Sequence, residues 1–349
     1  GNSANIAAGG EPTGSAAYLD VPDVLRKHHR PRRRPGRLAA TKVTMASAFA
    51  DGLWRLADPK ISLASFAGLF LAACMAAADA GIAAGWLLLT VLAVFLVEVA
   101  KNAYGEVVDY DSGTDLAVEP GDRSPFSGGK RVLVDKLMNA RQAREVAFVC
   151  YLGAIALGLV IVVLREPRAL PFGVAGMALA WFYHGGALRL SYRGLGELAV
   201  AICYGPLIVV GCYLVQTGGV TGCAVHASIA LGLLVAAFLW INQFPDHAAD
   251  KASGKRNLVV RLGLQRASLP YVVILATGYL LLVFTALAYP GCRGLLWGLI
   301  GMPAAAYSAL RLLAWGEDTP RLIPAQAACL ASFVLMAAGA GLGYLLASP

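Results

Sequence analysis

Charge is what this sequence has least of. Asp, Glu, Lys and Arg make up only 14% of its 349 residues, while 58% are hydrophobic. That balance excludes an ordinary soluble globular domain. The seven cysteines include no CxxC pair, and most fall inside apolar stretches (Cys74, Cys150, Cys203, Cys212, Cys329). A thiol so placed is usually a small hydrophobe, so neither a metal knuckle nor a disulfide framework is expected. The first 40 residues lack an apolar stretch of the kind a secretory signal carries, and no cleavable signal peptide is expected.

Apolar blocks near 20 residues are abundant, the length that crosses a hydrocarbon core of roughly 30 Å. Nine are expected to span, at about 61–79, 82–103, 145–164, 169–184, 197–216, 225–243, 268–289, 294–314 and 325–347. The expected class is therefore an all-α polytopic membrane protein, since helices satisfy their own backbone groups in lipid. Residues 51–349 form the transmembrane domain and residues 1–50, rich in Gly, Ala, Pro and Arg, a disordered tail. The tail's basic run His28–Arg37 suits nucleic acid or anionic lipid. Ahead of a membrane domain the lipid and topology reading is favoured, and no nucleic-acid partner is expected. Lys and Arg concentrate in alternate loops, at 104–144, 185–196, 244–267 and 315–324. By the positive-inside rule those loops and the N-terminus are cytoplasmic.

Two of these loops begin with acids emerging from a helix end. The first motif is KNAYGEVVDYDSGTD (Lys101–Asp115) and the second NQFPDHAAD (Asn242–Asp250). Residues three and four apart share a helical face, so Asn102, Glu106 and Asp109 form one stripe and Asn242, Asp246 and Asp250 another. Carboxylates crowded at a membrane edge repel each other unless a cation sits among them. Magnesium suits one or two carboxylates completed by substrate phosphate and water. The expected metal ligands are Glu106, Asp109, Asp115, Asp246 and Asp250, with Asp109, Asp246 and Asp250 central to catalysis. Nearby, RSPFSGGKR (Arg123–Arg131) and KASGKR (Lys251–Arg256) put cations and glycine backbone where an anionic leaving group would sit. Lys130, Arg131, Lys255 and Arg256 are thus candidate phosphate contacts, with Asn102 and Asn242 orienting ligands. A calcium loop over Asp109, Asp111, Gly113 and Asp115 is excluded, because its twelfth position is Pro120 rather than Glu.

These stretches, with YHGGALRLSYRGLGEL (Tyr183–Leu198) and DHAADKASGKRNLVVRLG, resemble the UbiA-type intramembrane prenyltransferases over residues 50–349. Within that superfamily the similarity is closest to 1,4-dihydroxy-2-naphthoate prenyltransferase-like members of menaquinone biosynthesis. The resemblance implies about nine helices around a central cavity, in two pseudo-repeated four-helix halves. It implies Mg2+, a polyprenyl diphosphate, an aromatic acceptor and a site open to the bilayer. It also places Tyr183, Arg189 and Arg193 near the diphosphate or acceptor. The first motif departs from the family pattern, which often has Asn-Asp and a further Asp three residues on. Here those positions are Gly105, Glu106 and Asp109. Other acceptors (hydroxybenzoate, homogentisate or a lipid) and cyclisation of the prenyl chain remain open, as does a cation-coupled transporter.

Overall fold

A computed structural model of the protein describes residues 45–347. The basic run His28–Arg37, and the expected tail up to residue 44, lie outside the described residues. Thirteen helices follow in order: α1 (Met45–Ala57), α2 (Pro59–Asp79), α3 (Ala84–Asp111), α4 (Thr114–Ala117), α5 (Ala140–Leu164), α6 (Leu170–His184), α7 (Gly196–Ile202), α8 (Ile208–Thr217), α9 (Gly222–Ala252), α10 (Leu258–Leu262), α11 (Leu264–Ala288), α12 (Met302–Trp315) and α13 (Thr319–Ala347). α1 begins inside the stretch expected to be tail. Among the described residues the only β pairing is an isolated Ser124–Ser127 bridge.

Local signals explain several boundaries. Pro59 occupies the first turn of α2, where its missing N–H costs nothing. Asn139 and Gln142 close a reciprocal capping box on α5. Thr221 caps α9 through the Ala224 N–H. α7 and α8 form one apolar span through a wide π turn at Cys203–Leu207, which contains Pro206.

Among the described residues, eight helical segments are long and apolar enough to cross a membrane. The ninth expected span, 169–184, is the shorter α6, only 15 residues. At 1.5 Å per residue it extends roughly 22 Å. Its end packs on α3, with His184 against Gly105 and Gly185 against Tyr104.

The two halves are packed differently. α2, α9, α11, α12 and α13 share a continuous buried core that includes Leu71, Leu231, Tyr271, Leu282 and Phe333. Glycines let backbones touch there: Gly294 meets Gly343, and Gly301 meets Ser332. α5 instead turns Val149, Val163 and Leu164 outward, an apolar surface suited to lipid.

One expectation from composition is corrected. Cys223, in the first turn of α9, is disulfide-bonded to Cys292 in the 3-10 turn leading to α12, with their Cα atoms 6.6 Å apart. The other five cysteines are free. The pair is 69 residues apart in sequence, and no local spacing announces it.

Candidate active site

A cavity of about 1620 Å³ lies among α2, α3, α5, α6, α7, α8 and α9. This exceeds the usual range for a drug-sized ligand, roughly 300–1,000 Å³. On α3 its wall runs from Thr90 to Asp109, a helical distance of roughly 28 Å. One end is polar. The remainder is lined by apolar groups such as Leu159, Val162, Phe172, Leu207 and Val215.

All five expected acids border the polar end: Glu106, Asp109, Asp115, Asp246 and Asp250. α3 carries Glu106 and Asp109, α4 carries Asp115, and α9 carries Asp246 and Asp250. Among the described residues, no three His, Cys, Asp or Glu side chains converge closely enough to cage an ion by themselves. A protein cation stands between the two acidic sets. The Lys255 ammonium is 3.9 Å from Asp109 Oδ2 and 3.5 Å from Asp250 Oδ1. Gly254 makes this possible. Its φ of 76° reverses the chain at the end of α9, and the Lys255 N–H then donates to the Asp250 carbonyl. Burial depresses the Lys255 pKa, but Asp109 and Asp250 outweigh it and hold the ammonium well above the ordinary lysine range. Burial, with the carboxylates of Asp109 and Glu106 beside it, pushes the Asp115 carboxyl up to about 8.

Each acid is positioned differently. Asp109 accepts the Tyr192 hydroxyl at 2.8 Å on Oδ1, and His184 Nδ1 lies 3.5 Å from its Oδ2. Asp250 accepts the Asn257 amide at 2.7 Å. Glu106 accepts the Leu133 N–H at 3.0 Å. Asp246 Oδ1 is buried and has no hydrogen-bond partner. The glycine-rich loop packs on these acids rather than on open space. Gly128 presents its backbone to Asp246, and a side chain at Gly129 would collide with the Asp115 carboxylate.

The expected amides and cations divide. Asn242 borders the cavity and accepts from the Gln326 amide at 3.1 Å. Asn102 also borders it, but its amide donates to the Leu56 carbonyl at 2.8 Å and ties α1 to α3. Lys130 and Arg131 line the cavity while paired with Asp58 at 2.7 Å and Asp135 at 3.3 Å. Tyr183 lines it too. Two expected contacts stand away from the cavity wall. Arg189 stacks its guanidinium on the Tyr192 ring at 3.9 Å. Arg256 follows the Lys255 turn, its backbone N–H donating to the Tyr192 carbonyl at 3.1 Å. Arg193 is likewise off the wall, its carbonyl accepting from Arg261 at 2.8 Å.

Sequence reasoning passed over His184, Tyr192 and Asn257. The GG and SYRG turns that deliver the first two carried a signal only in hindsight of α3. Gly105 explains His184: any Cβ at position 105 would strike the imidazole. The glycine that breaks the family pattern therefore makes room for the ring that reaches Asp109.

The model of the UbiA prenyltransferase family matches residues 66–322. A 1,4-dihydroxy-2-naphthoate octaprenyltransferase of Mycobacterium tuberculosis is 32% identical over 64% of this chain and 73% of its own length. The protein of the same description from Bacillus subtilis is 28% identical over 68% and 75%. A UbiA homolog from Archaeoglobus fulgidus, solved bound to DMAPP and Mg2+, superposes with a TM-score of 0.56 over 84% of this chain and 99% of its own, at 13% identity. A family match over most of the membrane domain, on a helical fold with acids gathered at one end of an apolar cavity, has one reading: the chain belongs to the UbiA prenyltransferase family.

Proposed function

We propose that the protein transfers an isoprenyl group from a polyprenyl diphosphate to 1,4-dihydroxy-2-naphthoate within the membrane, as part of menaquinone biosynthesis. The observation that carries the diphosphate half is the facing of two acidic sets, Glu106–Asp109–Asp115 and Asp246–Asp250, across Lys255 at the polar mouth of a long apolar cavity. The naphthoate half rests on the two relatives of that description.

The donor set fits magnesium. All five groups are carboxylates, and one buried oxygen, on Asp246, is unsatisfied. Asp109, Asp246 and Asp250 would hold the ion, with Glu106 and Asp115 alongside. When bound, magnesium neutralises charge that grows on the diphosphate as the C–O bond breaks. Lys255 spans Asp109 and Asp250 at this mouth, so its ammonium would be within reach of a phosphate oxygen held there. Lys130 and Arg131 extend the cationic rim. The apolar wall holds the prenyl chain and keeps water from the allylic cation. Tyr104 and Trp181, stacked with centroids 4.8 Å apart beside Tyr151, give that wall π-faces that favour a cation.

The test is transfer by purified protein with magnesium, labelled geranylgeranyl or longer diphosphate, and a panel of aromatic acceptors. Asp109→Asn and Asp246→Asn are each expected to reduce transfer on the order of 100-fold while the fold persists. Full activity in both would remove the metal assignment. A prenylated product from another acceptor, and none from the naphthoate, would move the substrate while keeping the chemistry.

A further inference from the structure

Deeper in the cavity lies a second polar group that the diphosphate site does not use. Glu98 and Lys101 sit on the same face of α3 as Gly105 and Asp109. Glu98 is eight residues from Glu106, and Lys101 eight from Asp109, so each lies roughly 12 Å along the helix from the metal-site acids. That is too far to share an ion with them. Both border the cavity.

Glu98 is 6% exposed. The Tyr204 hydroxyl donates to its Oε1 at 2.9 Å. Its Oε2 is buried and has no hydrogen-bond partner. The Ser62 and Ser65 hydroxyls lie within hydrogen-bonding reach of the carboxylate, while their protons are directed to the carbonyls of Ala57 and Ser62. Lys101 is the nearest cation, yet among the described residues its ammonium closes no ion pair within 4.0 Å and instead sits 5.8 Å from the Tyr183 ring centroid. A buried carboxylate oxygen with no hydrogen-bond partner beside an ammonium with no ion pair is costly in a low-dielectric interior. The arrangement makes sense when a ligand supplies the missing partners. The π turn supports this view, since it is the element that aims Tyr204 at Glu98, and such turns concentrate at functional sites.

We propose that Glu98 and Lys101, with Tyr204 fixing the carboxylate, seat a hydroxyaromatic acid. Lys101 takes the acid's carboxylate, and the free oxygen of Glu98 accepts its ring hydroxyl. The planar ring rests near Tyr183, between this pair and the diphosphate end. The assignment deepens the transferase reading and rests on it for the identity of the bound acid as the prenyl acceptor.

Binding tests it without requiring turnover. The purified protein in lipid nanodiscs is titrated with 1-hydroxy-2-naphthoate and with 1-naphthol, which lacks the carboxylate, by ligand fluorescence. Wild type is expected to favour the acid by at least about tenfold, the size of one charge-assisted contact. Lys101→Met is expected to erase that preference, and Lys101→Gln to do the same. Glu98→Gln is expected to weaken both ligands by a similar factor. Affinity for geranylgeranyl diphosphate with magnesium, measured in parallel, should stay within threefold or so of wild type in all variants, which also shows that they fold. The proposal is overturned if wild type shows no preference for the acid. It is equally overturned if the preference survives both Lys101 variants, or if they weaken the diphosphate instead. An intact preference with no prenylated product from any acceptor would fail the transferase reading and leave the seat standing.

Discussion

At the scale of single residues, the acids were legible and their keepers were not. Asp109, Asp246 and Asp250 announce themselves by helical spacing. Tyr192, His184 and Asn257 reach the same acids from other segments, and nothing local marks a residue that acts at long range. Arg189 and Arg256 show the converse, since basic residues beside a motif can be spent on ring stacking or on a turn. The Gly105–His184 contact gives a coupled prediction. Gly105→Ala forces the imidazole away from Asp109, so prenyl transfer should fall about tenfold. In a Gly105→Ala/His184→Ala double variant the clash is gone, and activity should match His184→Ala alone. Additive losses would show that the two positions act independently. Lys255 gives a second. Removing a buried cation leaves Asp109 and Asp250 facing each other, a loss of roughly 3 kcal/mol. Lys255→Met should therefore lower Tm in EDTA, and at one fixed magnesium concentration the variant should gain more stability than wild type, because the ion no longer competes with the ammonium for these carboxylates. A magnesium-induced rise in Tm no larger than in wild type would show that the lysine and the metal do not share these carboxylates.

At the scale of elements, hydropathy located nearly every span, because each needs about 20 apolar residues whatever its neighbours. It also located α6, whose 15 residues fall short of the other spans and whose end packs on α3. It was silent on the π turn, which depends on how α7 and α8 meet α9. Gly205 and Gly232 set that meeting. A side chain at Gly205 would strike the Ser228 carbonyl, and one at Gly232 would strike the Ala201 carbonyl. Helix propensity alone favours alanine at position 232 by about 1 kcal/mol. Overpacking a tight interface costs about 1–3 kcal/mol and should win. Gly232→Ala is expected to lower thermal stability and, by shifting Tyr204 off Glu98, to weaken acceptor use more than diphosphate binding. A stabilised variant with unchanged kinetics would mean that the backbones have room to spare.

For the whole molecule, two unrelated features argue for the same proposed orientation. Basic loops gather at the end of the helices that bears the acids, and the positive-inside rule proposes the cytoplasm for that end. The Cys223–Cys292 disulfide lies at the opposite end of α9 from Asp250, 27 residues and roughly 40 Å away. Disulfides persist on the oxidising side of a membrane, so charge and redox chemistry agree. Membrane-impermeant maleimide applied to intact cells after mild reduction should label Cys223 and Cys292, and Cys223→Ser/Cys292→Ser should abolish that labelling. Labelling that appears only in inverted vesicles would reverse the orientation and put the acidic mouth outside. The cross-link should also stiffen the half that the cavity does not occupy. For a random coil a loop of this length is stabilised by roughly 4 kcal/mol. The gain here should be smaller, because α9 and α11 remain inserted helices when the packing loosens. The double serine variant is thus expected to lose a few degrees of Tm and to keep its affinity for prenyl diphosphate, since the disulfide and the carboxylates sit at opposite ends of one helix.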